Sequence, residues 1–302
     1  MALVDRMLFS IRHVTRYVYE QPASHSRNVV RLTPVNVANQ RLLSFSLDVT
    51  PAASIREYRD SFGNHAHSID IEPPHTELVI TSASLVERLV LPSIRPHEMT
   101  VRDYLSDDLA RVKDYAQFLS PSRYVPFSER LKRFFWSVRP QLTEDVTGYA
   151  ERTMLYLRNQ FAYDGSTTHV HSTVDDILTA GGGVCQDFAH LSIGVLRLAG
   201  IPARYVSGYL APDPCADTNG ADSALASHAW IEALLPGVGW TGFDPTHRTY
   251  TVLRHLTVAV GRDYDDLPPV SGTYESEGGS SRMSYELEVG SPRGRRPVEL
   301  RQ

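Results

Sequence analysis

Cysteine is almost absent from this chain: two residues, Cys185 and Cys215, occur in 302. Two thiols cannot build a disulfide framework, and their scarcity fits a reducing compartment, so a cytoplasmic location is expected. They are also too few for a structural zinc site unless histidines join them. Long apolar runs are missing too. No stretch approaches the about 20 residues that a spanning helix needs, so no membrane partner is expected. The opening MALVDRMLFSIRHVTRYVYE carries charges throughout and has none of the apolar centre of a secretory signal. Basic blocks interleaved with aromatics are lacking, and 30 basic against 35 acidic residues leave a formal charge of −5. That balance argues against a nucleic-acid partner. There are no internal repeats, and no motif encodes an oligomeric state.

What is present divides by texture. From about residue 7 to 100 the chain alternates β-branched or aromatic residues with polar ones, as in LFSIRHVTRYVYE, LLSFSLDVTP and TELVITSASLVERLV. Thr33-Pro34, Thr50-Pro51 and Pro73-Pro74 punctuate these runs, and Gly63-Asn64 marks a hairpin turn. An all-β N-terminal domain follows, either sandwich or barrel. Helical spacing then takes over. SDDLARVKDYAQFL, SERLKRFFWSV and TEDVTGYAERTMLYLRNQFAY each start with capping residues and place apolar side chains at intervals of about three to five. In the last, Thr143 is the expected N-cap. Cys185 to Ala199 predicts a central helix with Phe188, Leu191, Val195 and Leu198 on one stripe, stopped by Gly200 and Pro202. ARYVSGYL reads as a strand, and HAWIEALL and GWTGFD read as a hairpin joined by PGVG. A short strand, YELEV, is expected to return to the N-terminal sheet, followed by a disordered Pro/Arg-rich tail. The expected partition is 7–100, 101–272 and 273–302.

Chemistry concentrates between Gly181 and Arg248. Three glycines lead into Cys185, which opens a helix; exposed backbone N–H groups and the helix macrodipole there favour a thiolate. A cysteine on a helix is commonly a small buried hydrophobe, but this one stands at the helix start and off the apolar stripe. Asp187 is a nearby negative charge whose side chain is expected to point elsewhere on the helix. His228 opens a strand, with Trp230 and Glu232 on its face. Asp244 before Pro245 reads on its own as a turn residue. An ideal hairpin centred on Gly237–Val238 sets it opposite about Ile231, leaving a gap to His228 for a bulge, twist or side-chain reach to close. His190, five residues after Cys185, reads as a core histidine. The His169/His171 pair reads as part of a solvated loop rather than a metal site, and Cys215 as a surface thiol.

GVCQDFAH, GIPARYVSGYL, SHAWIE (Ser227–Glu232), GWTGFDPTHR (Gly239–Arg248) and AVGRDYDDLPPVSG (Ala259–Gly272) stand in one order. Together they resemble the transglutaminase-like superfamily of papain-type cysteine enzymes. HVTRYVYEQPASHSRNVVRLTP (His13–Pro34) and RDSFGNHAHS (Arg59–Ser68) resemble its bacterial branch with an extra N-terminal β domain. The resemblance implies an α+β protein with a papain/transglutaminase-like core. It implies cysteine-dependent acyl transfer on peptide or carboxamide bonds through a thioester, with Cys185 as nucleophile, His228 as base and Asp244 as its anchor. A peptide or protein substrate is implied, with no cofactor and no metal. The Cys185 backbone N–H is a natural first oxyanion donor, with Tyr163, Gln160 or Gln186 as the second. Water as acceptor makes a hydrolase and an amine makes a transglutaminase; a fold kept as a non-catalytic binding module is the remaining alternative.

Overall fold

A computed structural model describes residues 6–89, 98–106, 113–212 and 227–290. The N-terminal region is built on one very long strand, β1 (Arg6–Val30), followed by β2 (Gln40–Thr50), β3 (Ser54–Arg59), β4 (His65–Ile71) and β5 (His75–Leu89). The expected hairpin turn at Gly63-Asn64 joins β3 to β4, which pair antiparallel. β1 belongs to two layers. Its first half pairs with β5, which pairs with β2; its second half pairs with β4. The register shifts between Val18 and Ala23, where Pro22 cannot donate to a ladder. Leu78 and Ile80 from one layer meet Ile69 and Ile71 from the other in a small apolar core, so the arrangement is sandwich-like.

The helices follow as α1 (Val101–Ser106), α2 (Glu129–Val138) and α3 (Val146–Gln160). The helix expected from Ser106 falls largely on residues 107–112, which lie outside the described residues; α1 ends at Ser106, and 113–118 form a 3-10 helix. Asp145, not Thr143, caps α3, its side chain accepting the Gly148 N–H. A two-residue strand β6 (Ala162–Tyr163) and α4 (Val174–Ala180) lead to β7 (Gly182–Gly183) and the central helix α5 (Cys185–Leu198). One apolar stripe understates α5, which is buried all round from Asp187 to Arg197. Its last turn is fixed by Arg197, whose guanidinium donates to the carbonyls of Ala203, Ser120 and Arg262. No helix among the described residues is long and apolar enough to cross a membrane.

Against α5 lies an antiparallel sheet of β8 (Ala203–Leu210), β9 (Ser227–Leu235), β10 (Gly239–Asp244), β11 (Thr249–Tyr250) and β12 (His255–Gly261), in the order β11-β10-β9-β8-β12. Ala229, Ile231 and Ala233 of β9 join the helical core, while Trp230 packs on Val206 and Val260 with Phe62. The chain then returns to the first domain. β13 (Val270–Glu275) and β14 (Ser281–Gly290), which contains YELEV, both pair antiparallel with β1. The boundary expected at residue 272 therefore falls inside β13.

β12 is an edge strand, and an edge exposes unpaired backbone groups. Here two buried amides from the N-terminal sheet close it. Gln40 donates to the Thr257 carbonyl at 2.7 Å and accepts its N–H at 2.9 Å. Asn64 makes the same two-way contact with Val260, both at 2.8 Å. Two of the motifs that carry the family resemblance thus meet in space. Gln40→Ala and Asn64→Ala would each leave a buried N–H and C=O unmet, at a cost of about 1–3 kcal/mol. Denaturant unfolding should show that loss for both, and no comparable loss for Gln21→Ala at an exposed position.

Candidate active site

The parallel pairing of Ala162 and Tyr163 with Gly182 and Gly183 sets the turn before α5. Val184 is its extended N-cap residue and has no polar side chain, so the first turn needs another partner. Asp187 supplies it. Its side chain curls back to accept the Val184 N–H at 2.8 Å and the Thr168 hydroxyl at 2.5 Å. Only glycine fits at Gly183, where a Cβ would come within 2.4 Å of the Asp187 carboxylate. The Asp187 carboxyl is pushed up by burial, against the pull of these hydrogen bonds. Cys185, half-buried, is the first residue of the helix held this way.

His228 stands near the start of β9, opposite Gly208 of β8. A Cβ at Gly208 would lie 2.2 Å from the Leu256 carbonyl oxygen and 2.5 Å from the Trp230 ring. Its absence admits the indole that packs 6.0 Å from the His228 ring. On the far side of β9, Phe243 pairs with Ile231, so the register carries Asp244 to the level of Trp230. The expected partner, Ile231, is thus off by one residue, and the slip matters. Asp244 falls on the same face as Trp230 and His228 and diagonal to His228, a separation that side chains bridge without a bulge.

The two oxygens of Asp244 divide their work. Oδ1 accepts the backbone N–H groups of Thr246 and His247 at 2.9 and 3.1 Å, the turn role that Asp-Pro suggests. Oδ2 accepts three imidazole N–H groups: His228 Nε2 at 2.8 Å, His247 Nδ1 at 2.8 Å and His255 Nε2 at 2.9 Å. A carboxylate only accepts, so each of these nitrogens carries its proton. Burial would raise the Asp244 carboxyl, but the three imidazoles outweigh it and hold the group far below the carboxylate range. His255 stays neutral: burial lowers its pKa, and its Nδ1 accepts the Val252 N–H at 3.1 Å, which fixes the tautomer.

His228 goes the other way. Burial disfavours its charged form, yet hydrogen bonds to Asp244 and to Cys185 prevail and push it up to about 10. With Nε2 committed to Asp244, Nδ1 is the ring nitrogen left for Cys185. The structure thus brings Cys185, His228 and Asp244 together in that order. His228, Asp244 and His247 also place one potential metal-ligand atom each within 4.8 Å of one another. A cation there would have to replace the N–H bonds that now hold the cluster.

Of the other oxyanion candidates, Tyr163 is half-exposed, stacks on Phe188 at 6.3 Å, and has its pKa raised by burial and then by the charge at Cys185. Gln186 donates its amide to the Val170 carbonyl at 3.0 Å, and Gln160 is exposed at the end of α3. His190 sits in the core, stacked on Tyr124 at 5.4 Å and accepting the Tyr264 N–H. His169 and His171 are exposed, and Cys215 lies outside the described residues.

Sequence reasoning missed His247 and His255. His247 is inside a recognised motif, three residues after an Asp-Pro turn, a spacing that returns a side chain toward the turn. His255 carries no signal beyond heading an apolar strand. Also missed was Arg88 of β5, fully buried, which donates to the carbonyls of Val252 and Leu253 at 3.2 and 3.3 Å and so fixes the segment that orients His255.

The shifted histidine makes stability depend on pH. A group raised from 6.5 to about 10 contributes stability that is complete below pH 6.5 and lost as pH climbs through about 10. Asp244 has the opposite sign, its contribution being lost only as pH falls toward its depressed value. Denaturant unfolding of the wild type should weaken between pH 6.5 and about 10, and His228→Gln should flatten that slope.

Comparison with known proteins accords with this geometry. Residues 9–87 match the bacterial transglutaminase-like N-terminal region, and residues 138–245 match the transglutaminase-like superfamily. An uncharacterised protein of Mycobacterium leprae is 37% identical over 270 residues, 88% of this chain and 92% of its own length. A protein-glutamine gamma-glutamyltransferase of Pseudomonas aeruginosa is 40% identical over 81 residues, 25% of this chain and 12% of its own. The crystal structure of a candidate cysteine protease from Cytophaga hutchinsonii shares the fold, with a TM-score of 0.75 at 23% identity over 98% of this chain and 95% of that one. The protein is a member of the transglutaminase-like superfamily, with a bacterial-type N-terminal β region joined to a papain-like α+β core.

Proposed function

We propose that the protein is a cysteine-dependent acyl-transfer enzyme acting on amide bonds of peptides or proteins. One arrangement carries this reading: His228 bonds Asp244 through Nε2, and Cys185 neighbours the same ring. Cys185 attacks the carbonyl carbon of a peptide bond or carboxamide, and His228 carries the thiol proton. The C–N bond breaks as His228 protonates the leaving amine or ammonia, leaving the acyl group on sulfur. An acceptor then gives its proton to His228, attacks the thioester and restores the thiol. Asp244 holds the imidazole tautomer and balances its charge throughout. For the developing oxyanion, the Cys185 N–H, which has no partner within its own helix, is the first donor, and Tyr163, which feels the charge at Cys185, is the second.

Hydrolysis is the preferred outcome, since water requires no second binding site. Amine transfer has one observation in its favour, the 81-residue segment shared with the gamma-glutamyltransferase of Pseudomonas aeruginosa. The scarcity of cysteine continues to support a cytoplasmic setting.

Cys185→Ala should fold normally and lose all turnover; comparable turnover in the purified variant would end this reading. His228→Ala should lower kcat/KM by about 10²–10⁴-fold. Asp244→Asn should keep more activity than that but lose stability, by about 1–3 kcal/mol, because its amide must face N–H donors either at the turn or at the imidazoles. The acceptor is set by a mass-spectrometric product screen with glutamine and asparagine peptides plus a primary amine. Deamidation or cleavage is expected, and exclusive amine incorporation would make the protein a transglutaminase.

A further inference from the structure

One face of the N-terminal sheet looks onto the core beside the catalytic histidine. In the β1–β14 register, Thr15 pairs with Tyr285, Tyr17 with Met283 and Tyr19 with Ser281, so these side chains share a face. His13, at the head of the same row, meets the Tyr209 hydroxyl of β8 at 2.8 Å and closes that end. Beyond it the walls part. A small cavity of about 140 Å³ runs between Thr15, Tyr17 and Tyr285 on the sheet and Ser227 and Tyr264 on the core. Ser227 is the residue before His228. Tyr17, Tyr264 and Val270 also line a larger cavity, of about 430 Å³, which continues past Tyr19, Tyr124 and Tyr274. The two are one cleft. Tyr264 also packs edge-on to Tyr205 at 6.4 Å, and Val170 in the wall of the larger cavity accepts the Gln186 amide, so the walls include a residue bonded to the neighbour of Cys185 and, in Ser227, the neighbour of His228.

The walls define what fits. Five tyrosines line the larger cavity, each with a flat apolar face and a hydroxyl that can bond a peptide group. Among the described residues, Arg123 and Asp265 are the only Asp, Glu, Lys or Arg lining it, and they pair with each other at 2.7 Å. The smaller cavity has no acidic, lysine or arginine side chain. A highly charged chain therefore finds no counter-charge. On the open rim, Met283 and Tyr285 are 54% and 48% exposed large apolar groups, Tyr285 resting on the His13 ring at 5.8 Å. From Thr15 to Tyr19 the wall runs about 13 Å, the length of about four residues of extended peptide.

We propose that this cleft is the acyl-donor subsite, holding an extended peptide whose aromatic or large apolar side chains flank the reacting amide. This rests on the acyl-transfer reading above, with the N-terminal domain supplying one wall of the substrate site. The test uses the full chain carrying Cys185→Ala, so that binding is read without turnover. Fluorescence anisotropy would follow two labelled probes, acetyl-Phe-Val-Gln-Val-Phe-amide and acetyl-Asp-Gly-Gln-Gly-Asp-amide. The aromatic probe should bind about tenfold or more tightly than the acidic one. Adding Tyr285→Ser or Met283→Ser, both on the exposed rim, should weaken it by about fivefold or more, while Trp136→Ser, an exposed aromatic on α2, should not. In the active protein the same rim changes should raise KM and leave kcat unchanged. Equal affinity for the two probes, or rim variants that bind as before, would overturn the subsite. Tight, rim-dependent binding to a wild-type protein that never consumes any peptide would keep the cleft as a peptide site and remove the chemistry proposed above.

Discussion

Everything at the site hangs on one buried carboxylate oxygen. Asp244 Oδ2 takes an N–H from each of three imidazoles, while Oδ1 holds the turn that follows. An ionised carboxylate out of water is costly unless hydrogen bonds replace its hydration, and here five donors do so. The same bonds orient His228, fix the tautomer of His255 through its Val252 contact, and hold His247 at the surface of the cluster. Removing the charge would therefore disturb the turn, the sheet edge and the His228 ring together.

The cluster also ties the two domains. The N-terminal sheet closes the open edge of β12 with Gln40 and Asn64, and Arg88 grips the carbonyls of Val252 and Leu253. Val252 in turn orients His255, and His255 bonds Asp244. A continuous line of hydrogen bonds thus runs from β5 to the Asp244 carboxylate. Through these bonds the N-terminal domain sets the strand on which His255 stands.

Local signals carried much of this into the sequence. A glycine run into Cys185 at a helix start, a strand opening on His228 and an Asp-Pro turn at the end of the paired strand are short-range patterns, and the structure places all three where those patterns put them. Helix limits were less legible: Thr143 and Asp145 are both capping types, and only packing selects Asp145. The all-round burial of α5 was hidden because it depends on what surrounds the helix on every side. His255 and Arg88 were invisible for a related reason. Arg88 acts on Val252 and Leu253, 164 and 165 residues along the chain, and His255 meets Asp244, only 11 residues back, across the intervening strands β9 and β8. No spacing rule encodes such contacts. The hairpin register was readable to within one residue, and that residue decides which face Asp244 occupies.

The central claim is that His228, anchored by Asp244, makes Cys185 a working nucleophile. The most direct measurement is the rate of iodoacetamide labelling of Cys185 near neutral pH, with Cys215 in the same chain as internal reference. Selective, fast labelling of Cys185 over Cys215 in the wild type, falling toward the Cys215 rate in a folded His228→Ala variant, is the predicted result. Equal, slow labelling of the two thiols in the wild type, or a Cys185 rate indifferent to the loss of His228, would contradict it.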